Sequence, residues 1–221
     1  MINLKEVTKV YQNEGISVRA VDGVNLNVEA GEMVFIVGRS GSGKTTLLSL
    51  IGGLTRPTAG GVLIDDVELE CLNDKKLSAI RNKKIGFIFQ FASLIPTLSV
   101  IDNVRLPMIF GEERRGNYEG ARELIEKVGL SEKIMSYPSQ LSGGEQRRVA
   151  IARSLMNKPE IILADEPTGD LDEETEREIM HLFREINKEG TTLLIVTHSS
   201  ELAVEAGSLY MMSKGKLTQE G

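Results

Sequence analysis

Four short apolar runs rich in β-branched residues punctuate the chain, at residues 33–37, 85–89, 161–164 and 193–197. Each is too short for a helix and continuous rather than alternating, the pattern of a strand buried on both faces of a parallel sheet. Parallel neighbours need crossovers, and helical patterns follow several of the runs. The expected fold is therefore α/β, a mainly parallel sheet wrapped by helices. The helix after Asp172 is the plainest case: Ile179, Leu182, Phe183 and Ile186 recur at helical spacing, and Gly190 supplies a stop. His181 lies off that stripe, near Glu178 and Glu185, and is assigned no chemistry.

Other stretches carry a different period. Val24, Leu26 and Val28 alternate with polar residues, and residues 62–64 follow a Pro/Gly-rich turn at 57–61, as antiparallel strands of an accessory sheet would. Residues 91–157 turn helical, with Pro96, Pro107 and Pro138 as punctuation, and form an expected inserted helical lobe. Residues 208–217 suggest a hairpin turning at Lys214 and Gly215. The expected organisation is one domain, with residues 1–90 and 158–221 as core and β-subdomain and 91–157 as helical subdomain.

Composition narrows the classes. At 221 residues the chain can bury an ordinary core without staples, and its one cysteine, Cys71, excludes an internal disulfide or a cysteine zinc cluster. Cys71 reads as a free thiol without a role. The longest apolar runs are about a quarter of a membrane span. The first ten residues carry charges where a signal peptide is apolar, so the chain is expected to stay in the cytoplasm. A net charge of −6 and a pI near 5.2 argue against nucleic acid as a partner. Arg147 and Arg148 read as a solvated helix face.

Chemistry enters directly after the first buried run, at Gly38-Arg39-Ser40-Gly41-Ser42-Gly43-Lys44-Thr45, followed by Thr46. This is a complete phosphate-binding loop in a strand, loop, helix context. Glycines let successive N–H groups and the helix N-terminus close on an anion, Lys44 adds a point charge at the β and γ phosphates, and the Thr45 hydroxyl can ligate Mg²⁺. By itself the loop means only that a nucleoside triphosphate binds. The run at 161–164 ends in Asp165 and Glu166. At a strand's carboxyl end Asp165 can hold the Mg²⁺ shell, and Glu166 can face the γ-phosphate and polarise a water.

Leu141-Ser142-Gly143-Gly144-Glu145-Gln146 precedes an expected helix over 146–156. Small residues at a helix N-terminus make a second anion cradle. The segment resembles the signature motif of ABC (ATP-binding cassette) transporter ATPases, and the resemblance covers essentially the whole chain. It implies ATP hydrolysis with Mg²⁺ and a site residue set. Gln90 resembles the glutamine that reaches Mg²⁺ and the attacking water, His198 the switch histidine, and Tyr11 the aromatic that stacks on adenine. Residues 169–172 resemble a loop that crosses the dimer interface. The implied catalytic set is Glu166, His198, Gln90 and Lys44, the implied Mg²⁺ ligands are Thr45, Gln90 and Asp165, and Ser142, Gly143, Gly144 and Glu145 contact the γ-phosphate from the far side.

Arg39, Asp170 and Ser199 stand where the family more often has proline, alanine and aspartate, and none of these changes removes a phosphate ligand. The wording of residues 85–90, Leu94-Ile95-Pro96 and residues 103–107 resembles the branch with lipoprotein-releasing and macrolide-exporting ATPases. The resemblance implies two copies sandwiching two ATP molecules and driving a separate membrane permease, so the chain would sit on the cytoplasmic face of the membrane. Residues Phe91, Leu94, Ile95, Leu98 and Val100 are the expected docking segment for that permease. Two competing readings are a soluble ABC ATPase not coupled to transport and a non-enzymatic ATP-binding switch. The first generally carries tandem cassettes or long coiled-coil insertions, and the second would be expected to lack Glu166 or His198.

Overall fold

A computed structural model of the chain describes residues 1–13, 15–109, 117–199 and 207–220. Within these, β1 (Ile2–Asn13), β2 (Ile16–Val28), β4 (Ala59–Ile64) and β5 (Val67–Glu68) form an antiparallel sheet in the order β2-β1-β4-β5. The main sheet contains β3 (Met33–Val37), β6 (Ile85–Ile88), β7 (Ile161–Asp165), β8 (Thr192–Thr197), β9 (Ser208–Ser213) and β10 (Lys216–Glu220), in the order β10-β9-β3-β8-β7-β6. Every pairing in it is parallel except the β9–β10 hairpin. The hairpin expected at 208–217 is present, and its first strand extends the main sheet beside β3.

The continuous apolar runs are explained by two cores, one on each face. Phe35 and Val37 of β3, Ile162 and Ala164 of β7, and Leu193 and Ile195 of β8 point into one. Their alternates Val34, Ile36, Ile161, Leu163, Leu194 and Val196 point into the other. The first core is closed by α3 (Val100–Ile109), α4 (Tyr118–Lys127), α5 (Gly143–Leu155) and α6 (Glu173–Lys188), through residues such as Val104, Ile125, Ile151 and Phe183. The second is closed by α1 (Lys44–Ile51) and the antiparallel sheet, through Leu47, Leu50, Ile2 and Ile64. Fully buried side chains of this size contribute about 1.5–3 kcal/mol each.

Between residues 91 and 157 the regular elements are helical, α3, α4 and α5, with residues 110–116 outside the described residues. Three expectations are corrected. The segment 85–89 pairs with β7 only to Ile88, so Phe89 has left the ladder. The helix expected over 146–156 starts three residues earlier, at Gly143, because Ser142 and Glu145 cap it reciprocally. Arg147 and Arg148 are not a solvated face. Arg147 is 6% exposed and donates to the carbonyls of Phe89 and Gln90, while Arg148 donates to the Val128 carbonyl and pairs with Glu178. Packing of α5 between the end of β6, α4 and α6 turns its basic side inward.

An additional helix, α2 (Asp74–Lys84), lies between β5 and β6, and the hydrophobic pattern did not predict it. Only Leu77 is buried in it, so it carries no apolar stripe; its signals are the Asn73 cap on the Lys76 N–H and a basic last turn. No helix among the described residues is long and apolar enough to cross a membrane.

Candidate functional site

The loop between β3 and α1 wraps an open helix N-terminus. Gly43, the residue before α1, has φ 109°, and no side chain caps the helix and no acid stands in its first turn. A Cβ on Gly43 would lie 2.1 Å from the Ala20 carbonyl oxygen, so only glycine permits both the left-handed backbone and the approach of β2. Main-chain donors and the positive end of α1 therefore face outward for an anion. Lys44 is 7% exposed, with its ammonium 2.6 Å from the Gly38 carbonyl oxygen.

This loop is one wall of a cleft of about 500 Å³ lined by Ser40, Gly41, Ser42, Gly43, Lys44, Thr45 and Thr46, with Gln90, Glu166, His198 and Ala20 opposite and beside it. Gly38 and Arg39 belong to the same loop and supply carbonyls to Lys44 (2.6 and 3.4 Å). Ala20 is the one lining residue with no signal in the sequence: it reaches the cleft because β2 passes over the phosphate loop.

The acidic end of β7 completes the site. Glu166 leaves the strand with φ 45°, a left-handed conformation that costs a non-glycine residue on the order of 1 kcal/mol and is held here by the sheet. Its N–H donates to the Val196 carbonyl (2.9 Å), and its Oε2 accepts from the His198 N–H (3.1 Å) and faces His198 Nδ1 at 2.9 Å. Its Oε1 lies 3.5 Å from the Lys44 ammonium. One carboxylate thus faces the cation of the phosphate loop on one side and an exposed imidazole on the other.

Asp165 is 6% exposed, and its Oδ1 has no hydrogen-bond partner. Burial pushes its carboxyl up from the usual range and the neighbouring Glu166 charge adds to this, while the Thr45 hydroxyl and the Lys44 charge oppose it. A buried carboxylate oxygen with a free lone pair beside a threonine hydroxyl fits a hard divalent cation. Ser42 Oγ, in the loop itself, is likewise buried without a partner and fits a phosphate oxygen. No group of three or more His, Cys, Asp or Glu side chains placed to hold a metal occurs among the described residues, so an ion here would share its shell with a bound phosphate.

Two groups of expected site residues lie elsewhere. Tyr11 is on β1, exposed, with the Lys9 ammonium 5.1 Å from its ring centre; it does not line the cleft but stands opposite Val18 on β2, the strand that brings in Ala20. Ser142, Gly143, Gly144 and Glu145 are also outside the cleft. Ser142 Oγ accepts from the Glu145 N–H (3.2 Å), and the Glu145 carboxylate accepts from the Ser142 N–H (2.8 Å). A Cβ on Gly144 would lie 2.6 Å from Thr175 Cγ2, which shows how closely this turn is seated on the start of α6.

The chain matches the family model described as ABC transporter over residues 21–169. It is 42% identical to the lipoprotein-releasing system ATP-binding protein LolD of Idiomarina loihiensis, covering 100% of this chain and 97% of that one. It is 45% identical to the macrolide export ATP-binding/permease protein MacB of Rhodopirellula baltica, covering 100% of this chain and 33% of MacB. A solved dimeric structure of the ATP-binding cassette MJ0796, described as a post-hydrolysis state bound to ADP and Pi, superposes with a TM-score of 0.92 at 42% identity, over 100% of this chain and 98% of that one. The same fold, carrying a phosphate loop and an acidic strand end in one cleft, leads to one conclusion: this chain belongs to the ABC transporter family, among its ATP-binding, ATP-hydrolysing subunits.

Proposed function

We propose that two copies of this chain close on two ATP molecules, each held by the phosphate loop of one copy and the residue 142–145 turn of the other. The carrying observation is a separation: within one chain Lys44, Glu166, His198 and Gln90 meet in a single cleft, while Ser142, Gly143, Gly144 and Glu145 are not part of its lining. An isologous twofold pairing brings each turn to the partner's cleft and builds two equal sites. The dimeric MJ0796 cassette supports this reading.

In each site the loop N–H groups and Lys44 hold the β and γ phosphates, and Tyr11 stacks on the adenine. Glu166 accepts a proton from the attacking water, and His198 and Gln90 orient the transferring group. Thr45, Asp165 and Gln90 would hold Mg²⁺, which when bound neutralises charge developing on the phosphates. Because Glu166 already faces Lys44 and His198, it is held in place before nucleotide arrives. A γ-phosphate would compete for Lys44 and leave the carboxylate to the water.

Residues 1–90 and 158–221 form the catalytic core with its β-subdomain, and 91–157 the helical subdomain that carries the signature turn. The work is delivered to a separate permease, so that the chain sits at the cytoplasmic face of a membrane. The matches to LolD and MacB support an ATP-binding subunit of the lipoprotein-releasing and macrolide-exporting branch. Phe91 (73% exposed) and Ile95 (41% exposed) offer an apolar surface for a short helix of that partner. Leu94 packs partly on the core and Val100 is buried in it, so these two belong to the fold rather than to the surface.

The experiment uses two defective variants. Lys44→Ala loses triphosphate binding, and Ser142→Arg keeps it but obstructs the partner's phosphate. Each alone should be inactive. Mixed, they should recover part of the ATPase activity through one intact composite site; equal loss of ATP binding in both variants would refute the assignment across copies.

A further inference from the structure

The five carbonyls of residues 89–93 each accept a side-chain donor, and two arginines of one helix hold four of them. Arg147 donates to the carbonyls of Phe89 and Gln90. Arg153 donates to those of Ala92 (2.8 Å) and Ser93 (2.8 Å), and Ser93 Oγ to that of Phe91 (3.1 Å). The ladder of β6 has ended at Ile88, so side chains of α5 set the path of this segment in place of the sheet.

Arg147 is 6% exposed, and burying a guanidinium is costly unless its donors are used. A planar fork serving two consecutive carbonyls fixes both the position and the direction of the chain there, which one flexible ammonium does not. The carboxylate of Asp170, four residues beyond Glu166, acts on the same guanidinium and opposes the effect of burial on it. Arg147 therefore stands where three pieces meet: the segment with Gln90, the loop after Glu166, and the helix that begins at the Ser142 cap.

We infer that Arg147 is a positioning residue for ATP hydrolysis: its fork fixes the main chain at Gln90 and makes Gln90 travel with α5 and its signature turn. The inference rests on the role of Gln90 given above. When the helical subdomain moves, the side chain that senses the γ-phosphate moves with it as one body, since the fork ties the two main chains directly.

The test is a cycle of ATP turnover on Gln90→Ala, Arg147→Met and the double variant. Methionine keeps the buried aliphatic volume and loses the fork. Arg147→Met should lower kcat roughly tenfold while KM for ATP changes less than about threefold, the signature of a misplaced group rather than lost binding. The double variant should be no slower than Gln90→Ala, within about twofold. Arg147→Lys should recover part of the loss. If the two losses multiply, or Arg147→Met turns over like the unaltered protein, the inference is overturned and the role of Gln90 stands. If Gln90→Ala itself turns over normally, that role fails and the inference falls with it. Should Arg147→Met not fold, the same cycle with Arg147→Lys decides: a slower enzyme with no added loss on Gln90→Ala supports the inference, and normal turnover or multiplied losses overturn it.

Discussion

Two helix N-termini in this chain are built from small residues, and they are in opposite states. At α1 the left-handed Gly43 leaves the first turn uncapped, with no acid within that turn, facing into the cleft. At α5 the Ser142–Glu145 box satisfies two donors and places a carboxylate in the first turn, outside the cleft. An open N-terminus invites an anion, whereas a capped one with its own acid has far less unmet demand. Under the composite-site proposal, the contrast assigns ATP binding to one chain and hydrolysis to two. In that proposal the α5 turn is too weak a cradle to capture a phosphate alone and acts on one that the partner has delivered.

The largest expected effect falls on the first cleft. Glu166→Gln keeps the shape of the side chain and removes the carboxylate, so hydrolysis should fall about a hundredfold or more in a steady-state assay while ATP affinity holds. A loss of affinity equal to the loss of rate would mean that Glu166 serves binding.

Asp165 sharpens the comparison through stability. Its unpartnered buried oxygen is a cost to the nucleotide-free fold that a bound cation would relieve. Asp165→Asn should abolish Mg²⁺-dependent turnover yet raise the nucleotide-free stability by about 1 kcal/mol, read from denaturant unfolding. Acidification should bring the same relief in the unaltered protein: a carboxyl whose pKa is raised on folding binds its proton more readily folded than unfolded, so this cost shrinks as pH falls through that raised value. Unchanged stability in the variant would mean that the oxygen is solvated.

The smallest effect belongs to the second cradle. Glu145→Ala removes half of the box and should cost on the order of 0.5–1 kcal/mol, a shift of roughly 1–4 °C in Tm, with ATP binding to single chains unaltered. A matching drop in single-chain affinity would place this turn in the same cleft as the phosphate loop, against the structure.

How much of this was legible in the sequence depends on which forces act locally. The runs at 33–37 and 161–164 are apolar on both faces and too short for a helix, which leaves a buried strand. The phosphate loop is written in consecutive residues, because its chemistry is main-chain geometry next to one helix. Arg147 was misread, because the partners that bury it are carbonyls of residues 89 and 90, and carbonyls leave no trace in composition. The helix at 74–84 was missed because it buries one leucine and rests on caps. Ala20 could not have been named, since its place at the cleft comes from how the two sheets stack and not from its own chemistry.

The account turns on whether the two N-termini meet only across copies. Small-angle scattering of Glu166→Gln with Mg-ATP should give the mass of a dimer, and of a monomer when ATP is omitted. Adding Ser142→Arg to the same protein should return it to a monomer while ATP still binds. A Glu166→Gln protein that stays monomeric with Mg-ATP at every concentration, or a dimer that ignores Ser142→Arg, would contradict the composite site.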